Sequence, residues 1–177
     1  MKIAAVETLR LAEFPNLIWV MIEDDQGQRG LGETFMGAAE VETWVHETAA
    51  PILLGRSSNT IEAIRLQLRS YVGHQAPGAE MRGRSAVDIA LWDLLGRQTG
   101  LPVCDLLGGR VRDTIRTYNT CAGYQYVRAA AGQHSTNWGL AEPCALGPYE
   151  DLQGFLTDAG AVAESLLSQG ITAMKIW

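Results

Sequence analysis

The chain has little that marks a secreted, membrane-embedded or nucleic-acid-binding protein. Cysteine is scarce and odd in number, with 3 in the whole sequence, Cys104, Cys121 and Cys144, and none in a CxxC pair. That pattern favours free thiols in a reducing compartment over a disulfide framework or a cysteine-based metal site. Lysine and arginine total 14 against 20 acidic residues, a formal net charge of -6 with no basic tract to hold phosphates, so nucleic acid is excluded as a partner class. No run approaches the roughly 18 apolar residues of a membrane span. The opening MKIAAVETLR meets Glu7 too soon to be a signal peptide, and the cytoplasm is the expected compartment. The histidines, His46, His74 and His134, have no metal-ligand spacing and no HExxH. No glycine cluster forms GxxxxGK or GxGxxG, and no serine sits in GxSxG.

What is present is core-forming sequence. With 177 residues and 47% hydrophobic content, the chain suffices for one domain of ordinary size or for one domain plus part of another. Residues 3–11 read as a first strand and residues 13–16 as a turn or short loop. LIWVMIE at residues 17–23 is dense in β-branched and aromatic types and reads as the strongest strand. A turn at residues 24–27 and a third strand at residues 29–34 complete an antiparallel meander. Val41, Trp44, Val45, Thr48, Ala49 and Ile52 then keep helical spacing, with Pro51 expected to end or kink that helix. Asn59 and Glu62 fit a reciprocal N-terminal cap for a helix carrying Ile61, Ile64, Leu68 and Tyr71.

The longest helical pattern is AEMRGRSAVDIALWDLLGRQTG, residues 79–100. Val87, Ala90, Leu91, Leu94 and Leu95 line one side, and Ile89 and Trp92 widen it until little of the helix is left for water. Gly96, Gly100 and Pro102 are expected to stop it, with VCDLLGG as a further turn of helix ending on glycines. The order of sheet first and helices second predicts an α+β domain. After Gly109 the grammar changes. IRTY at residues 115–118 is a short strand candidate, residues 122–149 are a functional loop or partly helical, residues 151–169 are a helix and residues 171–177 a strand. Strand, helix, strand predicts a parallel unit and a second domain, with the boundary near residues 110–114.

Few residues suggest chemistry. Arg84 with Asp88 and Arg97 with Asp93 are i,i+4 pairs, read as structural ion pairs. Glu33, in GLGETF, is read as a carboxylate holding backbone N–H groups in a turn. Lys175 differs, because it is a lone lysine near the C-terminal end of the apolar stretch TAMKIW. Strand C-terminal ends face the active site in α/β folds and barrels, and a lysine there can serve as a general base once its pKa is lowered.

GLGETF at residues 30–35, RGRSAVDIALWDLLGRQTGLPVCDLLGG at residues 82–109, YNTCAG at residues 118–123 and GITAMKIW at residues 170–177 together resemble the mandelate racemase/muconate lactonizing enzyme group of the enolase superfamily, with acid-sugar dehydratases nearest in tone. The resemblance implies an N-terminal α+β cap, residues 1–112, and the incomplete beginning of a modified TIM-barrel domain, residues 113–177. It makes residues 114–118 the first barrel strand and residues 171–177 the second. It implies abstraction of the proton α to a carboxylate, a Mg²⁺ cofactor whose ligands are expected after Trp177, and elimination of water from an acid sugar or related hydroxy acid. Lys175 matches the first lysine of the Lys-x-Lys that closes the second strand of racemase-like members, and Trp177 stands where the second would be. Phe14, Phe35 and Met36, by position in cap loops over a barrel mouth, are expected to shape substrate selectivity. A small carboxylate substrate and a homo-oligomer are implied as partners. The alternatives are racemase, epimerase or cycloisomerase chemistry on the same scaffold, and a non-catalytic cap-like binding or assembly module.

Overall fold

Three strands open the chain in a computed structural model that describes residues 1–69, 78–121 and 151–175. They are β1 (Ile3–Leu11), β2 (Phe14–Asp24) and β3 (Arg29–Phe35), an antiparallel sheet in the order β1-β2-β3. The β-branched run in β2 alternates as the meander requires, with Ile18, Val20 and Ile22 buried on one face. Residues 13–16 are not the expected loop, because only Ala12 and Glu13 turn and Leu11 pairs with Phe14. Pro15 is tolerated inside β2 because it falls where the β1–β2 register shifts, between the Leu9–Trp19 and Leu11–Phe14 pairs.

Helices follow as α1 (Ala38–Trp44), a π-helical turn (Val45–Ala49), α2 (Ala50–Leu53) and α3 (Ile61–Gln67). Pro51 neither ends nor breaks the first of these runs. The widened turn just before it, in which the Ala50 N–H donates to the Val45 carbonyl, makes room for a residue that cannot donate its own i−4 bond. The expected Asn59–Glu62 cap does not form. Asn59 instead accepts from the Ser57 hydroxyl, and Glu62 pairs with Arg65 at 2.5 Å, so the acid is drawn along the helix rather than back to its start. Tyr71 lies outside the described residues.

The long helix α4 (Ala79–Thr99) and a short α5 (Val103–Leu106) complete the first unit, Met1–Arg110. Ala86, Val87, Ala90, Leu91 and Leu94 are fully or almost fully buried against Ile18, Val20 and Ile22 and against Val41, Val45 and Ile64 of the surrounding helices. Gly96 lies inside the helix and Gly100 alone closes it, with the Leu101 N–H returning to the Gly96 carbonyl at 3.1 Å. Ile89 is 47% exposed, so the helix keeps a wet side that its composition hid.

Two glycines decide how closely α4 approaches the sheet. A Cβ on Gly30 would lie 2.1 Å from the Ala90 carbonyl oxygen, and one on Gly32 would lie 1.9 Å from that of Ala86. Glycine in the strand and alanine on the helix therefore bring the two backbones into direct contact. Three α4 side chains reinforce the fit. Arg82 donates to the Phe35 carbonyl, Asp93 accepts the Leu31 N–H at 2.8 Å, and Gln98 donates to Asp24 at 2.7 Å. The Asp93 contact also covers a backbone donor on the outer side of the edge strand β3.

In the second unit, Val111–Trp177, helix α6 (Asp151–Ser168) is two segments joined at Asp158, whose backbone leaves the helical region. The Asp158 carboxylate accepts the Ala161 N–H at 3.0 Å and so caps the second segment. Neither expected strand forms among the described residues: 114–118 is not a strand, and 171–175 carries only an isolated bridge at Met174. The direction is right, but parallel pairing is reduced to that one bridge, Asn119 with Met174. Val111 and Ile115 are 91% and 75% exposed, and parallel strands are stable mainly when both faces are covered. The candidate loop at residues 122–149 lies outside the described residues.

Among the described residues of the first unit, Asp24 is the buried ionisable group, 1% exposed. Burial alone would push its carboxyl up, but hydrogen bonds from the Gln28 N–H, the Gln98 amide and the Gln26 N–H, with the charge of the amino terminus, hold it below its ordinary value. A lowered pKa in the folded state means a stability contribution that is complete above the unfolded-state pKa and lost as pH falls through the folded value. Asp24→Asn is therefore expected to cost about 1–3 kcal/mol at pH 7 in denaturant unfolding, with the gap to the parent closing under acid.

Candidate functional site

The four residues singled out for chemistry and selectivity fall in two places. Phe14 begins β2, Phe35 ends β3 and Met36 follows it, so all three share one end of the antiparallel sheet. Leu17 and Phe35 are the last paired residues of that ladder, and beyond them the Met36 N–H donates to the Asn16 carbonyl at 2.8 Å. The chain then turns sharply. Met36 has φ 70° and Gly37 has φ 66°, two consecutive left-handed residues before α1 begins. Glycine adopts this conformation freely and methionine does so at a cost, so the turn needs its neighbours to hold it. Phe14 and Phe35 are half-buried and Met36 is 39% exposed.

Lys175 lies in the second unit, exposed, one residue past the parallel bridge. Its N–H donates to the Asn119 carbonyl at 2.8 Å, while the Asn119 N–H donates to the Ala173 carbonyl at 3.0 Å. Asn119 is the centre of this small assembly. Its amide donates to Asp151 at the start of α6 at 2.8 Å, and its side-chain oxygen accepts the Cys121 N–H at 2.7 Å in an Asx turn. Cys121 is buried with φ 52°, and burial followed by the charge of Asp151 pushes its thiol up. A thiol so placed stays protonated and unreactive at neutral pH. Trp177 lies outside the described residues.

The remaining candidates resolve as structural groups. His46, Thr8, Glu42 and Arg10 form one surface chain of hydrogen bonds. Thr8 donates its hydroxyl to Glu42 at 3.1 Å, so the contact with His46 Nε2 at 2.8 Å has the imidazole donating. Arg10 pairs with Glu42 at 2.8 Å. Glu33 lies within β3 rather than in a turn after it, exposed and paired with Trp19. Arg97 pairs with Asp93 at 2.9 Å as expected. The Arg84–Asp88 pair does not form. Arg84 leaves a buried Nε without a hydrogen-bond partner beside a narrow gap that it lines with Ile64, Leu68 and Asp88. There burial raises the Asp88 carboxyl pKa, the charge of Arg65 working against that shift and the charge of Glu62 adding to it.

The sequence reading missed Arg82 and Asn119. Arg82 carried a signal, since it is a cation in the first turn of α4, where the helix dipole disfavours positive charge. Asn119 carried only the weak one of an asparagine two residues before a residue it can hold. Among the described residues no three His, Cys, Asp or Glu side chains gather as a metal site, and no helix is long and apolar enough to cross a membrane.

Comparison with known proteins agrees with this architecture. The D-galactonate dehydratase of Ralstonia nicotianae is 34% identical over 164 residues, covering 92% of this chain and 42% of that enzyme. A crystal structure of an enolase of the mandelate racemase subgroup from Agrobacterium tumefaciens aligns with a TM-score of 0.74 and 43% identity, over 100% of this chain and 38% of that one. An enolase from Pantoea ananatis, solved with bound D-gluconate and Mg, aligns with a TM-score of 0.58 and 37% identity over 67% of this chain and 30% of that one. The chain thus spans well under half the length of these relatives. Residues 4–108 match the mandelate racemase/muconate lactonizing enzyme N-terminal domain, and with that match over more than half its length the chain belongs to this family of the enolase superfamily.

Proposed function

We propose that this chain supplies the cap, residues 1–112, and the first barrel elements, residues 113–177, of a cytoplasmic Mg²⁺-dependent dehydratase acting on an acid sugar. The observation that carries this reading is the 34% identity to a D-galactonate dehydratase across 92% of the chain. The Mg²⁺ and D-gluconate bound to the Pantoea ananatis relative support the cofactor and the carboxylate substrate class. In the complete enzyme Mg²⁺ would steady the negative charge that develops when the proton α to a carboxylate is removed. In this reading its ligands come from the part of the protein that follows Trp177, as the family resemblance implies.

In this reading the chain's own residues bind and select. Lys175 presents an ammonium at the end of a barrel strand, suited to the substrate carboxylate and to a proton in transit. Phe14, Phe35 and Met36 shape the pocket and exclude water from it. Racemisation is the weaker reading, because Trp177 stands at the position of the second lysine that two-base chemistry uses. A homo-oligomer is the expected assembly, since most soluble oligomers of such enzymes are symmetric copies.

Two experiments test this. The isolated 177-residue chain is expected to bind no Mg²⁺ in isothermal titration and to turn over no acid sugar, and stoichiometric tight binding would overturn the placement of the ligands. In the complete enzyme, Lys175→Met is expected to lower kcat/KM for the accepted acid sugar by about a hundredfold or more. An unchanged kcat/KM would reduce Lys175 to a structural role.

A further inference from the structure

We propose that Arg82 is a positioning residue for substrate selectivity, acting through the Phe35–Gly37 turn. The proposal rests on the reading of Phe14, Phe35 and Met36 as pocket residues. Its own support is the geometry at the end of β3. Two consecutive left-handed residues, Met36 and Gly37, leave the sheet there, and the first carries a long side chain in a conformation that favours glycine. A turn of that kind persists only when its surroundings determine it.

The structure supplies two ties, one on each side of the peptide linking Phe35 and Met36. The Met36 N–H donates to the Asn16 carbonyl at 2.8 Å, joining the turn to the start of β2. The Arg82 guanidinium donates from Nη1 to the Phe35 carbonyl, joining the same peptide to α4. A charged donor makes the stronger of these two kinds of bond. Both groups of that one peptide are thereby fixed, and with them the directions of the Phe35 and Met36 side chains.

Arg82 is poorly explained as a helix residue. Its N–H donates to the Gly78 carbonyl at 3.1 Å, which places it in the first turn of α4. Positive charge there opposes the helix dipole, and the acid that suits the position, Glu80, is already present. The half-buried guanidinium does its work across the gap to β3. Because α4 meets β3 backbone to backbone at Gly30 and Gly32, the helix is a rigid mount for that contact.

The test compares Arg82→Met, Arg82→Lys and Phe35→Ala in the complete enzyme against a panel of epimeric acid sugars. Arg82→Met is expected to change the ratio of kcat/KM between the preferred and the next acid sugar by about fivefold or more, mainly through KM, with Arg82→Lys partly restoring it. Amide exchange at Met36 is expected to quicken in Arg82→Met while Ile18 and Val20 stay protected. If Phe35→Ala shifts the ratios and Arg82→Met does not, the role of Arg82 is overturned and the pocket reading stands. If neither shifts them, both fall. A loss of protection spread evenly over the sheet would mark Arg82 as a general structural residue and overturn the proposal. Should Arg82→Met fail to fold, Arg82→Gln takes its place with the same expected shift and the same contradicting result.

Discussion

The contact of Gly30 and Gly32 with the backbone of α4 governs the geometry of the first unit. A side chain at either position would need to occupy space already filled by the Ala90 or Ala86 carbonyl. Removing both side chains lets a helix lie on an edge strand at a separation that ordinary residues forbid. The apolar face of α4 then meets Ile18, Val20 and Ile22 directly, and the helices around it close the remaining sides. Interiors packed this densely leave little room for a helix to slide or rotate. What α4 carries at its ends is consequently placed with accuracy.

Three polar side chains exploit that placement along the length of the helix. Arg82 reaches the end of β3, Asp93 its middle, and Gln98 the carboxylate of Asp24 at the far turn. Each adds a hydrogen bond to a group that is buried or at the sheet edge. The same rigid pairing connects the structural core to the proposed selectivity loop. Residues proposed to face substrate from a strained turn need a stiff support, and here that support is α4.

Elements set by local hydrophobic pattern were legible in the sequence. The three strands, the central helix and the helix that begins at Asp151 follow from periodicity and from glycine placement, whereas the strands expected on either side of that last helix reduce to the Asn119–Met174 bridge. What was not legible depends on partners distant in sequence. Gly30 and Gly32 read as unremarkable strand residues until the alanines of α4 are laid against them. The Asn59–Glu62 cap failed because Arg65 and Ser57 offered closer partners. Arg84 and Asp88 have the spacing of an ion pair, yet their surroundings leave one donor unsatisfied and make ionisation of the acid costly. Pro51 looked like a stop because a π-helical turn leaves no mark in the residue pattern. At the candidate site, Lys175 stood out as a lone charge in an apolar stretch, whereas Asn119 and Arg82 are defined by whom they contact.

The most direct measurement is the unfolding free energy of Gly32→Ala against the parent chain, by denaturant titration at neutral pH. If α4 and β3 meet backbone to backbone, the added methyl must displace the Ala86 carbonyl, and a loss of at least about 2 kcal/mol is expected. A variant within about 0.5 kcal/mol of the parent, the range of an ordinary surface change, would contradict the account.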